Sequence, residues 1–390
     1  MPHIIFEKNN ELTTPSNFEG VDFTFLAKGQ NQDKIGIKYK DKEFLLSLKP
    51  YEENFLIKAD KATRITPNDY IKTALNSYIS STESKEVLSN TNINKTKVKP
   101  EERYLKDINY FVNDFKTDKE IAVEIGFGSG RHLLHQAVNN PDILFIGIEI
   151  HIPSIEQALK QIKLQNITNV LILNYDARLF MEFLPSNSVK TIYVHFPVPW
   201  DKKPHRRVYS TEFVQEALRV LNTKGSLELR SDSENYFQYC LSLLTALMQG
   251  HIEIDINKNP AITSKYEDRW LRQEKKIYDL KLYCDFESED KIINRDFSFD
   301  EGIKFENIKD KLEKQKPIVK DGFFVHFEHV YKIDENKGLL ELTLGDFNRP
   351  LSKFIYFEDG KISYYQENPI PTSANIKSHQ FINEYLKELS

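Results

Sequence analysis

Cysteine is nearly absent from this chain. The two in 390 residues, Cys240 and Cys284, form no disulfide framework and match no metal-ligand spacing, so no metal site is expected. No apolar run reaches the length of a bilayer crossing. Met1 to Glu7 lacks a basic segment followed by a long apolar core, so no export signal is read there. These absences point to a reducing cytoplasm and to no membrane partner. Positive charge is not in excess either: the net charge of −5 excludes a generally basic, nucleic-acid-binding coat, though not a local basic patch. No long-period internal repeat is found. A hydrophobic content of 40% with 12% aromatic residues is enough for real cores, and the length predicts two or three domains.

Glycine is sparse too, yet three alternate in Val123-Glu124-Ile125-Gly126-Phe127-Gly128-Ser129-Gly130. An apolar run ends there in a carboxylate, a helical segment follows, and a second run, Phe145-Ile146-Gly147-Ile148-Glu149, ends in another. Those are the parts of a β-turn-α-β nucleotide site. Gly126, Gly128 and Gly130 let the turn take positive φ and approach a ligand closely. The helix N-terminus that follows offers unpaired N–H groups. Glu149 stands where an acid would grip a ribose hydroxyl.

The spacing is G-x-G-x-G, not the G-x-G-x-x-G of dinucleotide sites. Glu124 would suit the ammonium of an amino acid and would repel a pyrophosphate. S-adenosylmethionine therefore fits better than NAD.

Along the chain, residues 1 to 100 show short alternating runs such as Val21 to Leu26, Ile35 to Tyr39 and Glu43 to Leu48. They predict a small β-rich N-terminal domain closed by a polar linker, Thr82 to Pro100. Residues 101 to 287 alternate strand and helix, beginning with a helix over Glu101 to Phe115. Seven strands are expected: Ile121 to Gly126, Leu144 to Ile150, Val170 to Asn174, Thr191 to Phe196, Ser226 to Arg230, Ile252 to Ile256 and Ile277 to Tyr283. This is an α/β class chain with a Rossmann-like parallel sheet. Residues 288 to 390 read as a β-hairpin-rich C-terminal extension. It has a tight turn at Asp359-Gly360 and a closing helix, Ser378 to Leu389.

Asp176 ends the third of those strands, at the carboxyl edge where ligands bind in open α/β sheets. It can meet an adenine amino group or cap the next helix, and the two roles can coexist. The fourth strand runs into His195-Phe196-Pro197-Val198-Pro199-Trp200-Asp201-Lys202-Lys203-Pro204-His205-Arg206-Arg207. Two prolines stiffen this exit. Lys202, Lys203, Arg206 and Arg207 suit phosphates, and Trp200 suits stacking or packing. In a net-acidic chain, such a cluster favours RNA. Arg131 and His132 are open to capping the pocket or merely starting the helix. The row Phe323, Phe324, Phe327 and Tyr331 could stack bases but reads first as a hairpin core.

Taken together, Glu124 to Gly130, Gly147 to Pro153, Asp176-Ala177 and Phe196-Pro197-x-Pro199-Trp200 with its Lys/His/Arg tail resemble the bacterial tRNA (guanine-N7)-methyltransferase family. Ser264-Lys265-Tyr266-Glu267-Asp268-Arg269 is similar to that family's Thr-Lys-Phe-Glu-x-Arg segment. The resemblance covers roughly residues 105 to 285 and implies a seven-stranded S-adenosylmethionine-dependent methyltransferase domain. It implies Glu124, Gly126, Gly128, Gly130, Glu149 and Asp176 at the cofactor. Asp232 and Glu267 are expected as the catalytic residues, for the negative charge they can place near the purine. Trp200, Lys202, Lys203, Arg206, Arg207, Asp232, Ser264, Lys265, Tyr266 and Glu267 are then expected at a tRNA substrate, by resemblance at guanine 46 of the variable loop. One departure stands out: the family usually has Asp between the two prolines, and here that position is Val198.

The N7 of guanine carries a lone pair and no proton, so its attack on a sulfonium methyl needs no general base. The site must supply in-line proximity and negative charge near a purine that becomes cationic. Asp232 and Glu267 can supply that charge without an Asp at position 198. For the same reason His195 has no proton to remove and reads as structural. Two rivals remain: a methyltransferase for another RNA, and a non-catalytic, S-adenosylmethionine-binding tRNA chaperone. The terminal additions are open to gripping tRNA or forming an interface.

Overall fold

The computed structural model describes residues 2–93, 99–258, 262, 275–291, 296–312, 315–347 and 349–390, the side chains of 179, 183 and 349 excepted. The chain divides into two units, Val98–Ile293 and the pair of terminal segments Met1–Lys97 with Asn294–Ser390.

The N-terminal segment forms strands β1 (His3–Glu7), β2 (Ser16–Phe18), β3 (Val21–Ala27), β4 (Asp33–Tyr39), β5 (Lys42–Tyr51) and β6 (Asn54–Ala59). Helix α1 (Asn68–Ser81) and strand β7 (Lys85–Ser89) follow. The sheet is antiparallel in the order β2-β3-β4-β5-β6-β1-β7. Alternating burial in β3 places Val21 and Phe23 inward. On this face α1 lays Ile71, Ala74, Leu75 and Tyr78, spaced as one helical stripe. Strand β7 lies inside the stretch expected as linker. Its Val87 and Leu88 are exposed, so no alternation marked it.

The second unit carries β8 (Leu105–Lys106), β9 (Ile121–Ile125), α2 (Arg131–Asn139), β10 (Leu144–Ile148), α3 (Ile152–Gln165), β11 (Val170–Leu173) and α4 (Ala177–Phe180). After these come β12 (Val189–His195), α5 (Thr211–Val220), β13 (Leu221–Ser231), α6 (Glu234–Leu247), β14 (His251–Ile256) and β15 (Tyr278–Tyr283). All seven expected strands are present, in the order β14-β15-β13-β12-β9-β10-β11 with β8 added at one edge. Strands β8 to β13 are parallel, and β15 enters antiparallel between β13 and β14. The burial pattern of β9 is inward throughout, as a parallel strand covered on both faces requires. The chain leaves β9 toward β10 on one side and returns to β12 on the other. The crevice at their carboxyl ends is therefore the topological switch point, where such sheets bind ligands. In place of the helix expected over Glu101 to Phe115 stand a short turn at Glu102–Tyr104, strand β8 and a single π turn at Tyr110–Asp114. Pairing of Leu105 with Ile172 draws this backbone into the sheet, and tertiary pairing outweighs helical propensity there.

The C-terminal segment adds α7 (Phe305–Leu312), β16 (Ile318–Lys320), β17 (Phe323–Lys332), β18 (Gly338–Asp346), β19 (Arg349–Glu358), β20 (Lys361–Tyr364) and α8 (Ser373–Leu389). Five strands form an antiparallel meander. Asp359 and Gly360 both take positive φ, +49° and +80°, the twist that a two-residue hairpin needs. Helix α8 begins before the expected Ser378 because Thr372 caps it, accepting the Asn375 N–H at 3.2 Å. Phe327 and Tyr331 are buried, as a hairpin core requires, and Phe323 packs on Phe381.

The two terminal segments fold as one unit rather than as separate additions. Lys28 and Lys332 bridge backbone to backbone. Phe25, Ala27 and Leu45 share an apolar cluster with Tyr331, Leu339, Phe354 and Tyr365. Inside this union the fully buried Lys34 ammonium bonds Asp60 at 2.5 Å and Ser47 at 3.1 Å, and stands 3.9 Å from Glu341.

Candidate active site

The glycine turn between β9 and α2 has the conformation its composition predicts. Gly126, Gly128 and Gly130 sit at φ +67°, +52° and +74°, a region that other residues enter only with strain. A side chain at Gly126 would meet nothing within 4 Å; the demand there is backbone conformation and room for a ligand. Glu149, just past β10, ties this turn to its neighbour. Its Oε2 accepts the Gly128 N–H at 3.0 Å, and its Oε1 accepts those of Ile150 and His151 at 2.8 and 2.9 Å. The carboxylate is thus fixed by three amides at the lip of the crevice.

Glu124, on β9, is buried. Its Oε2 accepts a hydrogen bond from His132 Nδ1 at 2.8 Å, since an ionised carboxylate can only accept. The His132 ring packs edge-on against His195 and Tyr193 of β12, with centroids 4.4 and 4.8 Å apart. Burial pulls the His132 pKa down, but the Glu124 charge and hydrogen bond outweigh it, and the net shift is upward. His195 is held well below the usual histidine range by burial, then by His132 and Arg230. It is a neutral, inward ring, in keeping with a structural role. Donor atoms of Glu124, His132 and His195 lie within 4.8 Å of one another, a spacing that one cation can bridge. Within that group the hydrogen bond is the one between His132 Nδ1 and Glu124 Oε2. Sequence left His132 undecided; only the fold turns the first helical turn of α2 back onto Glu124.

Asp176 caps α4, accepting the Arg178 N–H at 3.1 Å, and also pairs with the Arg178 guanidinium at 2.5 Å. Asp232 follows β13, with Oδ2 3.0 Å from Lys275 Nζ. Glu124, Glu149, Asp176 and Asp232 therefore stand at the carboxyl ends of the parallel strands β9, β10, β11 and β13. Ser264, Lys265, Tyr266 and Glu267 lie outside the described residues.

The loop after β12 leaves under strain: Phe196 and Trp200 take φ +49° and +46°, unusual for bulky aromatics. Lys202, Lys203 and Arg206 are exposed, and the Arg206 guanidinium lies over the half-exposed Trp200 ring at 5.2 Å. Arg207 points the other way. Its guanidinium stacks on Tyr239 at 4.4 Å and donates Nε–H to the Pro199 carbonyl at 2.8 Å. It is 9% exposed and anchors the loop from within. Val198 is exposed at 60%, so the crevice loses no buried carboxylate at that position.

Residues 118–280 match the family model described as "Putative methyltransferase". Relatives extend over the whole chain. A tRNA (guanine-N(7)-)-methyltransferase of Wolinella succinogenes is 39% identical over 99% of this chain and all of its own length. That of Helicobacter hepaticus is 41% identical over all of both chains, and that of Campylobacter fetus is 40% identical over 99% of each. The chain belongs to the tRNA (guanine-N(7)-)-methyltransferase family. The match runs through both terminal segments. Among the described residues no helix is long and apolar enough to cross a membrane.

Proposed function

We propose that this protein transfers the methyl group of S-adenosylmethionine to N7 of a guanine in tRNA, guanine 46 of the variable loop by family resemblance, and that it works in the cytoplasm. The observation that carries the reading is the row of carboxylates at the switch-point crevice, beside an open positive-φ glycine turn and an exposed cationic loop. The turn leaves room for a ligand backbone, and the carboxylates match an ammonium, a ribose and an adenine amino group, so the residues fit the cofactor. Glu124 would hold the ammonium, Glu149 the ribose hydroxyls, and Asp176 the adenine amino group alongside its cap.

When bound, S-adenosylmethionine supplies a sulfonium methyl whose C–S bond electrons leave with sulfur. The chain's task is to aim guanine N7 in line with that bond and to exclude competing nucleophiles. Lys202, Lys203 and Arg206 would meet phosphates and Trp200 would offer a ring, while Arg207 keeps the loop rigid from inside. Asp232 and Glu267 would accept from the guanine edge and stabilise the positive charge that develops on the purine. Ser264, Lys265 and Tyr266 would complete that pocket. No residue has to remove a proton, so Val198 is compatible with turnover.

The test is transfer of labelled methyl to an unmodified tRNA transcript, with the variable-loop guanine replaced in a parallel sample. Label on the first and none on the second is expected. No label on either, with tRNA still bound, would overturn the enzyme reading in favour of the chaperone.

A further inference from the structure

The Glu124 carboxylate, read above as the partner of the cofactor's ammonium, already has a partner whose protonated form it favours. His132 donates to it at 2.8 Å from the first turn of α2. Two cations on one buried carboxylate repel each other, and the second to arrive is disfavoured unless the first gives up its charge. We propose that His132 is a positioning residue that holds Glu124 in place while the cofactor is absent, and that cofactor binding expels its proton. The inference rests on the reading of Glu124 as the ammonium's ligand.

The surroundings support an exchange of one proton at this ring. From β9 it faces Glu124; from β12, Tyr193 and His195; from β13, Glu228 and Arg230 act on it through space. Arg230 is neutralised by Asp279, with Nη1 2.6 and 2.7 Å from its two oxygens. Lys281, which acts on His195, is neutralised by Glu228 at 2.9 Å. Glu124 is therefore the dominant charge, and the upward shift of His132 from its ordinary 6.5 follows from it despite burial. His195 stays neutral and does not compete for the proton. On the far side of the ring, Gln136 Nε2 lies 3.2 Å from His132 Nε2, a donor facing the ring nitrogen that accepts in the neutral form. An amide can donate to an unprotonated ring nitrogen or, turned over, accept from a protonated one. Both protonation states of His132 are thus hydrogen-bonded.

The sign follows from linkage. Below the raised pKa of His132, binding releases a proton, so cofactor affinity rises about tenfold per pH unit. Above that pKa, which exceeds 6.5, the ring is already neutral and its contribution to the pH dependence ends.

The experiment is calorimetric titration of the full-length protein with S-adenosylmethionine, without tRNA. It runs from about pH 6 to about pH 9 in paired buffers of different ionisation enthalpy. Wild type should release about one proton per cofactor more than His132→Asn at the acid end. The two should agree at the alkaline end, where the cofactor's free α-amine, with a pKa of about 8, takes up a proton on binding either protein. His132→Asn, whose amide nitrogen can replace Nδ1 as donor without titrating, should bind with an affinity that does not rise between about pH 6 and 7, where the cofactor's α-amine is already protonated. A wild type with no excess proton release, or an H132N variant that keeps the slope, would overturn the inference. Glu124→Gln separates the two levels. If it weakens binding while wild type shows no excess release, only the proton exchange fails. If it leaves affinity unchanged, the reading of Glu124 falls and the inference with it.

Discussion

Gly128 donates its backbone N–H to the Glu149 carboxylate at 3.0 Å, joining the turn after β9 to the turn after β10. The side chain read as a ribose ligand is thus also the strut of the glycine turn. Glu149→Ala strands three amides at once, and charge-assisted hydrogen bonds are worth about 1.5–3 kcal/mol each. It should weaken S-adenosylmethionine binding by about a hundredfold. Glu149→Gln retains one acceptor oxygen and should cost about tenfold. Calorimetry on the two variants checks the order, and equal losses would contradict the strut.

The basic loop divides into outward and inward charges. Arg207 loses its aromatic stack and its bond to Pro199 on substitution by Ala, at an expected cost of about 2–3 kcal/mol in urea unfolding. Ala at Lys202, Lys203 or Arg206 should leave unfolding unchanged. Each should lower the dependence of log tRNA affinity on log salt by about 0.7–0.9 if it meets a phosphate. A stability loss at Lys202 as large as at Arg207 would reverse the assignment.

Lys34 and Asp60 form a buried pair, side chains 1% and 7% exposed, where the two terminal segments meet. Removing one partner of such a pair typically costs about 3–5 kcal/mol, because the other is left charged and buried. Asp60→Ala should therefore destabilise the β-rich unit by that order. Replacing Lys34 with Met together with Asp60 with Leu should recover much of it. Denaturant unfolding of the three variants decides, and a mild D60A would show that water reaches the site.

Lys353 donates to the Glu367 carbonyl at 2.8 Å. Burial lowers its amine from 10.5 to about 8, partly opposed by the Glu367 carboxylate. For a base whose folded pKa is depressed, the contribution to stability is present above the unfolded value and is lost as pH falls through the folded one. Lys353→Met should accordingly be stabilising relative to wild type near neutrality, with the gain shrinking between about pH 8 and 10.5. Paired unfolding curves across that range test it.

The parallel sheet was legible because each strand is an apolar run that stops at a carboxylate or a turn, and both features are local. Strand β7 was not, since its exposed Val87 and Leu88 follow no period. Helix α1 was missed although Ile71, Ala74, Leu75 and Tyr78 carry a helical spacing, overshadowed by the strands around it. The union of the terminal segments rests on Lys28 with Lys332 and on Phe25 with Tyr365, pairs some three hundred residues apart that no local pattern connects. At the site, Glu124 and Glu149 could be named from position. The partner each has chosen could not, because His132 and Gly128 reach them only after the turn closes. Arg207 shares its chemistry with Lys202 and Arg206, and only packing against Tyr239 separates them.

The central claim is methylation at N7, and it has a direct chemical readout. N7-methylguanine in RNA becomes a site of chain scission after borohydride reduction and aniline treatment, whereas methylation elsewhere on guanine does not. Unmodified tRNA incubated with the protein and S-adenosylmethionine should break at one position, the variable-loop guanine, and should stay intact when Glu124 is replaced by Ala. Methyl incorporation without scission would place the methyl group on another atom and contradict the account.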